Sequence, residues 1–216
     1  MDISRAFSYP RNDPRWFGKL LSLGLISIFP IVNLIGMGYM VEALRRVARG
    51  DEATLPEWDN YGGYFMDGLR VTVTYMVYAL PLLLVIGVLL GVVIASGNDE
   101  ARGMGLLSML ANLFQMFWQF LLWVVWPALL LQVAFREGWA VGFDFAAMMS
   151  NITRNIGAYV MVLVMTVAFG ILGTLGILAC GVGILITGPY AQMCMAHLFG
   201  QLAQGNMDQV HPAEYS

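Results

Sequence analysis

The longest stretches without a charge decide what this chain can become. No Asp, Glu, Lys or Arg interrupts the 22 residues from Leu20 to Val41, the 28 from Val71 to Asn98, the 33 from Gly103 to Phe135 or the 42 from Asn155 to Ala196. A helix needs about 20 mainly apolar residues to cross a hydrocarbon layer about 30 Å thick. All four intervals satisfy that length, so the chain reads as an all-α, polytopic integral membrane protein.

Composition points the same way. The chain is 59% hydrophobic and 12% charged, against about 25% charged in an ordinary soluble domain. Low-complexity tracts, glycine periodicity and proline-rich linkers are missing, which sets aside the disordered and fibrous classes. Eleven Lys and Arg face 14 Asp and Glu without forming a dense basic face, so no nucleic-acid partner is expected. Cys180 and Cys194 lie apart in apolar sequence and read as reduced packing residues. The opening residues lack an apolar core followed by a small-residue cleavage site, so the first hydrophobic segment is expected to stay in the mature protein.

A 42-residue helix would run about 63 Å, twice the hydrocarbon thickness. The last interval must therefore turn back, and Gly170, Gly173, Gly176, Gly181 and Gly183 mark the place. Helices are expected over 155–176 and 179–202, with a polar tail over 203–216. The 103–135 interval would be about 48 Å long and should tilt or reach into the interface. Pro127 can kink it, as Pro81 can kink a helix over 71–96.

Pro30 divides the first interval into two halves, each too short to span. Residues 16–49 then form either one kinked crossing or a re-entrant hairpin. Basic residues collect on the cytoplasmic side of short loops. With a hairpin and four later spans, Arg5, Arg11, Arg15, Lys19, Arg45, Arg46, Arg49, Arg70, Arg136 and Arg154 share that side and only Arg102 falls outside. A spanning first segment reduces the split to six against five. The hairpin is therefore the favoured reading, with both termini cytoplasmic. Residues 50–70 and 136–154, rich in Trp, Tyr and Phe, fit cytoplasmic segments at the headgroups.

Polar residues at membrane depth are the candidates for function. Ser108, Asn112, Gln115 and Gln119 follow at steps of four, three and four, on one helix face that Trp123 and Trp126 continue. This stripe is either a hydrophilic path or headgroup groove, or a set of interhelical hydrogen bonds worth about 0.6 kcal/mol each, and the second is favoured. Asn33, beside the Pro30 break, suits a helix cap or a dipole offered to a substrate. Arg45, Arg46, Arg49 and Arg70 are placed for helix pairs with Glu42 and Asp67 or for lipid phosphate.

His197 stands at the end of the last helix and His211 in the tail, too few for a metal or haem site, so no cofactor is expected. No carboxylate pair, Ser-His-Asp set, phosphate-cradling loop or HExxH appears, and an enzymatic role is not expected. The Ala179-xxx-Gly183 spacing suits close helix packing.

Short blocks along the chain resemble a known family. They are Arg5-Ala6-Phe7-Ser8-Tyr9-Pro10 with Asp13-Pro14-Arg15-Trp16, Gly38-Tyr39 leading to Arg45-Arg46-Val47-Ala48-Arg49-Gly50, Leu55-Pro56-Glu57-Trp58-Asp59, Phe65-Met66-Asp67-Gly68-Leu69 and Ala196-His197-Leu198-Phe199-Gly200-Gln201. The set is similar to the prokaryotic membrane proteins grouped as domain of unknown function 4013. That resemblance implies a small helical protein of a prokaryotic plasma membrane and brings no catalytic residues. The expected function is a non-enzymatic scaffold or accessory subunit in contact with lipid and with further copies or other membrane subunits. A small transporter or channel along the 103–135 helix is the first alternative, and a lipid-binding or lipid-modifying protein the second.

Overall fold

The computed structural model describes residues 1–96, 101–136, 138–178 and 182–208, and among them every regular element is helical. Helix α1 is Ile3–Asn12, α2 Trp16–Ser27, α3 Asn33–Ala48, α4 Tyr61–Ser96 and α5 Ala101–Phe135. A short 3₁₀ turn at Ala140–Phe143 leads to α6, Phe145–Arg154; α7 is Ile156–Thr174, extended by a 3₁₀ turn at Leu175–Leu178, and α8 is Ile184–Asp208. The charged outer loop expected between the 71–96 and 103–135 helices, Asn98 to Arg102, has Asn98, Asp99 and Glu100 outside the described residues. Cys180, the Ala179 end of the small-residue spacing and the tail with His211 lie outside them too.

Caps fix several of these boundaries. The Asp2, Asp144 and Asn155 carboxylate or amide oxygens accept from the backbone N–H of Arg5, Ala147 and Ala158, opening α1, α6 and α7. Gly50, with φ 83°, ends α3 in the left-handed region that glycine adopts freely. Asn60 Oδ1 accepts from Gly63 N, so α4 begins at Tyr61, ten residues before the charge-free interval opens at Val71. The expected interfacial segment 50–70 is thus half loop and half helix. Charge spacing marks what can enter lipid, whereas the cap marks where the helix starts.

Among the described residues three helices are long and apolar enough to cross a membrane: Tyr61–Val92, Gly105–Phe135 and Ile156–Leu178. Helix α8 is long but carries Gln192, His197, Gln201, Gln204 and Asn206, which lowers its apolar content.

The centre of the molecule is α3, which packs along α4 on one side and α8 on the other, with α7 beside α8 and α5 beside α4. Gly38 meets the Tyr64 carbonyl and Gly68 meets the Leu34 carbonyl, leaving no room for a methyl group at either position. The α3 and α4 backbones therefore touch, as small residues permit in membrane helices. Leu20, Leu23, Leu44, Met193, Leu198 and Phe199 fill the space between α2, α3 and α8.

Helices α2 and α3 lie side by side. The Leu23 side chain packs on Gly36, thirteen residues later, where one continuous helix would hold them about 20 Å apart. The chain reverses over 28–32, and Phe29 and Ile31 at this turn are 63% and 76% exposed.

Among the described residues, the outer halves of α4 and α5 stand clear of the other helices. Leu84 on α4 and Met116 on α5 are 67% and 70% exposed, and the most apolar stretch of α4 has no buried residue. Exposed apolar area on this scale is expected of a surface covered by lipid or a partner.

Candidate functional site

The end of the bundle opposite the α2–α3 turn holds two ionic networks, each with a buried centre and more exposed members. In the first, Lys19 Nζ donates to Asp13 Oδ2 at 2.6 Å, Glu57 Oε1 at 2.9 Å and the Leu55 carbonyl at 3.0 Å. The Lys19 and Asp13 side chains are only 6% and 2% exposed. Arg46 Nη1 donates to the same Leu55 carbonyl at 3.2 Å while its Nε donates to Asp51 Oδ2 at 2.7 Å. Burial pushes the Asp13 carboxyl up, but the Lys19 ammonium and the Arg15 N–H outweigh it and hold Asp13 below its ordinary value. The Lys19 hydrogen bond likewise holds the Glu57 carboxyl down.

The second network centres on Arg45. Its Nη1 pairs with Asp67 Oδ2 at 2.5 Å and, more loosely, with Glu42 Oε2 at 3.4 Å. Its Nε donates to the Ala134 carbonyl at 2.6 Å and its Nη2 to the Val133 carbonyl at 3.3 Å. The guanidinium thus satisfies free carbonyls at the end of α5 and ties α3, α4 and α5 together. Arg70 approaches Asp67 at 3.5 Å, and its buried Nε has no hydrogen-bond partner among the described residues.

A third cluster joins α1 to α8. Gln201 is oriented by the Asp2 backbone, since its Oε1 accepts from Asp2 N at 2.7 Å and its Nε2 donates to the Asp2 carbonyl at 3.1 Å. The same Nε2 lies 3.0 Å from His197 Nδ1. A donor there requires Nδ1 to accept, which leaves the proton on Nε2, facing Glu52 Oε2 at 3.4 Å. The ring is 1% exposed and packs against Tyr9, with centroids 4.9 Å apart. Beside the cluster opens a cavity of about 740 Å³ lined by Asp2, Arg5, Glu52, Asn155 and Gln201. No group of three or more potential metal ligands occurs among the described residues.

Within the apolar part, Tyr159 repairs a broken helix. Pro127 lies inside α5, and one residue later the Tyr159 hydroxyl accepts from Ala128 N at 3.2 Å and donates to the Val124 carbonyl at 2.6 Å. The hydroxyl is inserted into what would be the i→i−4 bond, and it fastens α7 to α5.

Most of the stripe on α5 faces away from the other described helices. Ser108, Asn112, Gln115 and Gln119 are all exposed. Ser108 Oγ donates to the Gly105 carbonyl of its own helix, and the three amides form no hydrogen bond to another helix among the described residues. Contact with α4 runs along a neighbouring face, where Trp118 Nε1 donates to the Tyr78 carbonyl at 2.9 Å. The structure does bring Asn33 and Gln119 to one groove of about 380 Å³, walled by Met37, Tyr75, Trp123 and Trp126 between α3, α4 and α5.

Of the four arginines singled out in the sequence, Arg45 and Arg46 are committed to internal partners and Arg70 partly so. Arg49 is exposed and has no carboxylate partner among the described residues. The importance of Asp13, Lys19, Glu52 and Glu57 is not visible in the sequence, because their partners are 6 to 145 residues away.

A family model described as a protein of unknown function, DUF4013, matches residues 22–182, about three quarters of the chain. The chain belongs to the DUF4013 family. The DUF4013 match takes in the α2–α3 turn, the Arg45 network, the α5 stripe and α7. It stops before α8, so His197 and Gln201 lie beyond it. No curated protein and no solved structure matches this DUF4013 chain.

Proposed function

We propose that the chain is a multi-pass scaffold or accessory subunit of a complex in a prokaryotic plasma membrane, with no catalytic role of its own. The observation that carries this reading is the α4–α5 pair, which leaves the body, exposes apolar side chains on most faces and adds an unpaired amide stripe on one. Lipid alone covers apolar side chains well, but amides at hydrocarbon depth are stable only beside a polar partner.

In this reading α4, α5, α7 and α8 cross the membrane and the α2–α3 pair re-enters from the cytoplasmic side. The support is geometric: Lys19, Arg45, Arg46 and Arg136 gather at the end of the bundle away from the α2–α3 turn, as the cytoplasmic preference of basic residues requires. The apolar turn at Phe29 and Ile31 then sits within the bilayer. Arg49 and Arg154, exposed at that cytoplasmic end, are left for lipid phosphate.

Purification from native membranes in mild detergent tests the proposal. A defined complex, of several copies or with another subunit, is the expected result. A monomer without partners would remove the scaffold reading. The groove holding Asn33 and Gln119 favours a second reading, a small transporter. Flux into liposomes that vanished on replacing Asn112, Gln115 and Gln119 by Leu would support it.

A further inference from the structure

We infer that the amide stripe of α5 is a self-association seam, and that its partner is a second copy of this chain packed in parallel. The inference rests on the scaffold reading above and names one of its partners. It starts from spacing: steps of four, three and four from Ser108 to Gln119 are those of alternating d and a positions in a heptad, the seam along which two helices coil. Leu122 and Trp126 continue the same register toward the body.

Chemistry selects the occupant. Copies inserted with the same topology are related by a two-fold axis along the membrane normal, and such an axis sets each seam residue against itself. Few side chains are their own complement. A carboxylate or an ammonium would repel its copy, whereas a carboxamide offers both a donor and an acceptor to an identical group. Asn112, Gln115 and Gln119 are the residue types that this symmetry accepts, and a single polar a-position residue is enough to fix register in a coiled coil.

The fold leaves the space. The α4-facing side of α5, marked by Trp118, lies roughly a quarter turn around the helix from the stripe. Two α4–α5 pairs joined at the seam therefore bury the exposed amides between the two α5 helices, with Leu84 and Leu106 among the residues that remain outside.

A cysteine scan from Gly105 to Leu122 in native membranes, with Cys180 and Cys194 replaced by Ala, tests this directly. Oxidative cross-linking should peak at 108, 112, 115 and 119 and be several-fold weaker at 110, 113 and 117. In detergent, Asn112→Leu with Gln115→Leu and Gln119→Leu should weaken the dimer roughly twentyfold, on the scale of three interhelical amide bonds. A flat scan, or a maximum on another face, overturns the seam. If the scan is flat while another subunit still co-purifies, the scaffold reading stands and self-association falls. A partnerless monomer removes both.

Discussion

Lys19 and Arg46 donate to the same carbonyl, that of Leu55, at 3.0 and 3.2 Å. One stands in the first turn of α2 and the other in the last turn of α3, so a single acceptor closes the open end of the α2–α3 pair. The acceptor belongs to the loop leading to α4, which therefore starts from a fixed position. Three consecutive helices are registered by one peptide group.

Removing the Lys19 charge should show how much that registration matters. Lys19→Met keeps the side-chain length but leaves Asp13, 2% exposed, without its closest cation. Breaking a buried pair from one side costs about 3–5 kcal/mol, because the remaining charge is uncompensated. Thermal unfolding in detergent should drop by several degrees or more, and Asp13→Asn in the Lys19→Met background should restore part of the loss. Unchanged stability in the single variant would mean that the network is solvated.

Acid should act on the same cluster and on the Asp144 cap of α6. Asp13, Glu57 and Asp144 all have folded-state values held below the ordinary ones, the last by the Ala147 N–H and Arg136. The unfolded chain then takes up protons first as pH falls, so stability rises with pH across that window. It should be fully present above about pH 5 and decline as pH drops through the usual carboxylate range toward the lower folded-state values. Lys19→Met should flatten the decline. A stability profile indifferent to pH from 5 to 3 would contradict the assignment.

Much of the framework was legible because lipid imposes a simple rule on sequence. Charge-free intervals located α4, α5 and α7, and Pro30 located the break between α2 and α3. The pairs Glu42 with Arg45 and Asp67 with Arg70 followed from helical spacing. Spacing gave no sign that Arg45 would also reach the end of α5, 88 and 89 residues on. Helix α1 was missed because its ten residues are neither long nor strongly apolar, and its Asp2 cap is visible only once Arg5 N is seen to donate to it. The stripe was legible as a face, and the sequence favoured interhelical hydrogen bonds along it without saying which helix would supply them. The packing of α4 on the adjacent face is what leaves the amides outward.

Tyr159 offers a sharper test of packing inside the apolar region. Its hydroxyl serves both Ala128 N and the Val124 carbonyl, and the ring is 1% exposed, so water cannot readily replace it. Tyr159→Phe removes one oxygen and leaves a donor and an acceptor unpaired, which costs about 1–3 kcal/mol per group unless the α5 bond closes directly. Amide hydrogen exchange at Ala128 should accelerate while α3 and α8 stay protected. Equal protection in the variant and the parent would show that α5 can close its own ladder at Pro127.

The re-entrant reading of α2–α3 makes the last prediction, and it separates cleanly from a kinked crossing. If the pair enters and leaves on one side, Ser8 in α1 shares the cytoplasm with Arg49 in the loop after α3. In a background without Cys180 and Cys194, Ser8→Cys and Arg49→Cys should both resist a membrane-impermeant maleimide applied to intact cells and both react in inside-out vesicles. Phe29→Cys at the turn should react slowly from either face, because a thiol at bilayer depth meets little water and forms little thiolate. A kinked crossing gives another pattern: Ser8→Cys labels from outside while Arg49→Cys does not. That outcome would be incompatible with the hydrogen bonds that Lys19 and Arg46 share at the Leu55 carbonyl, and would overturn the re-entrant reading.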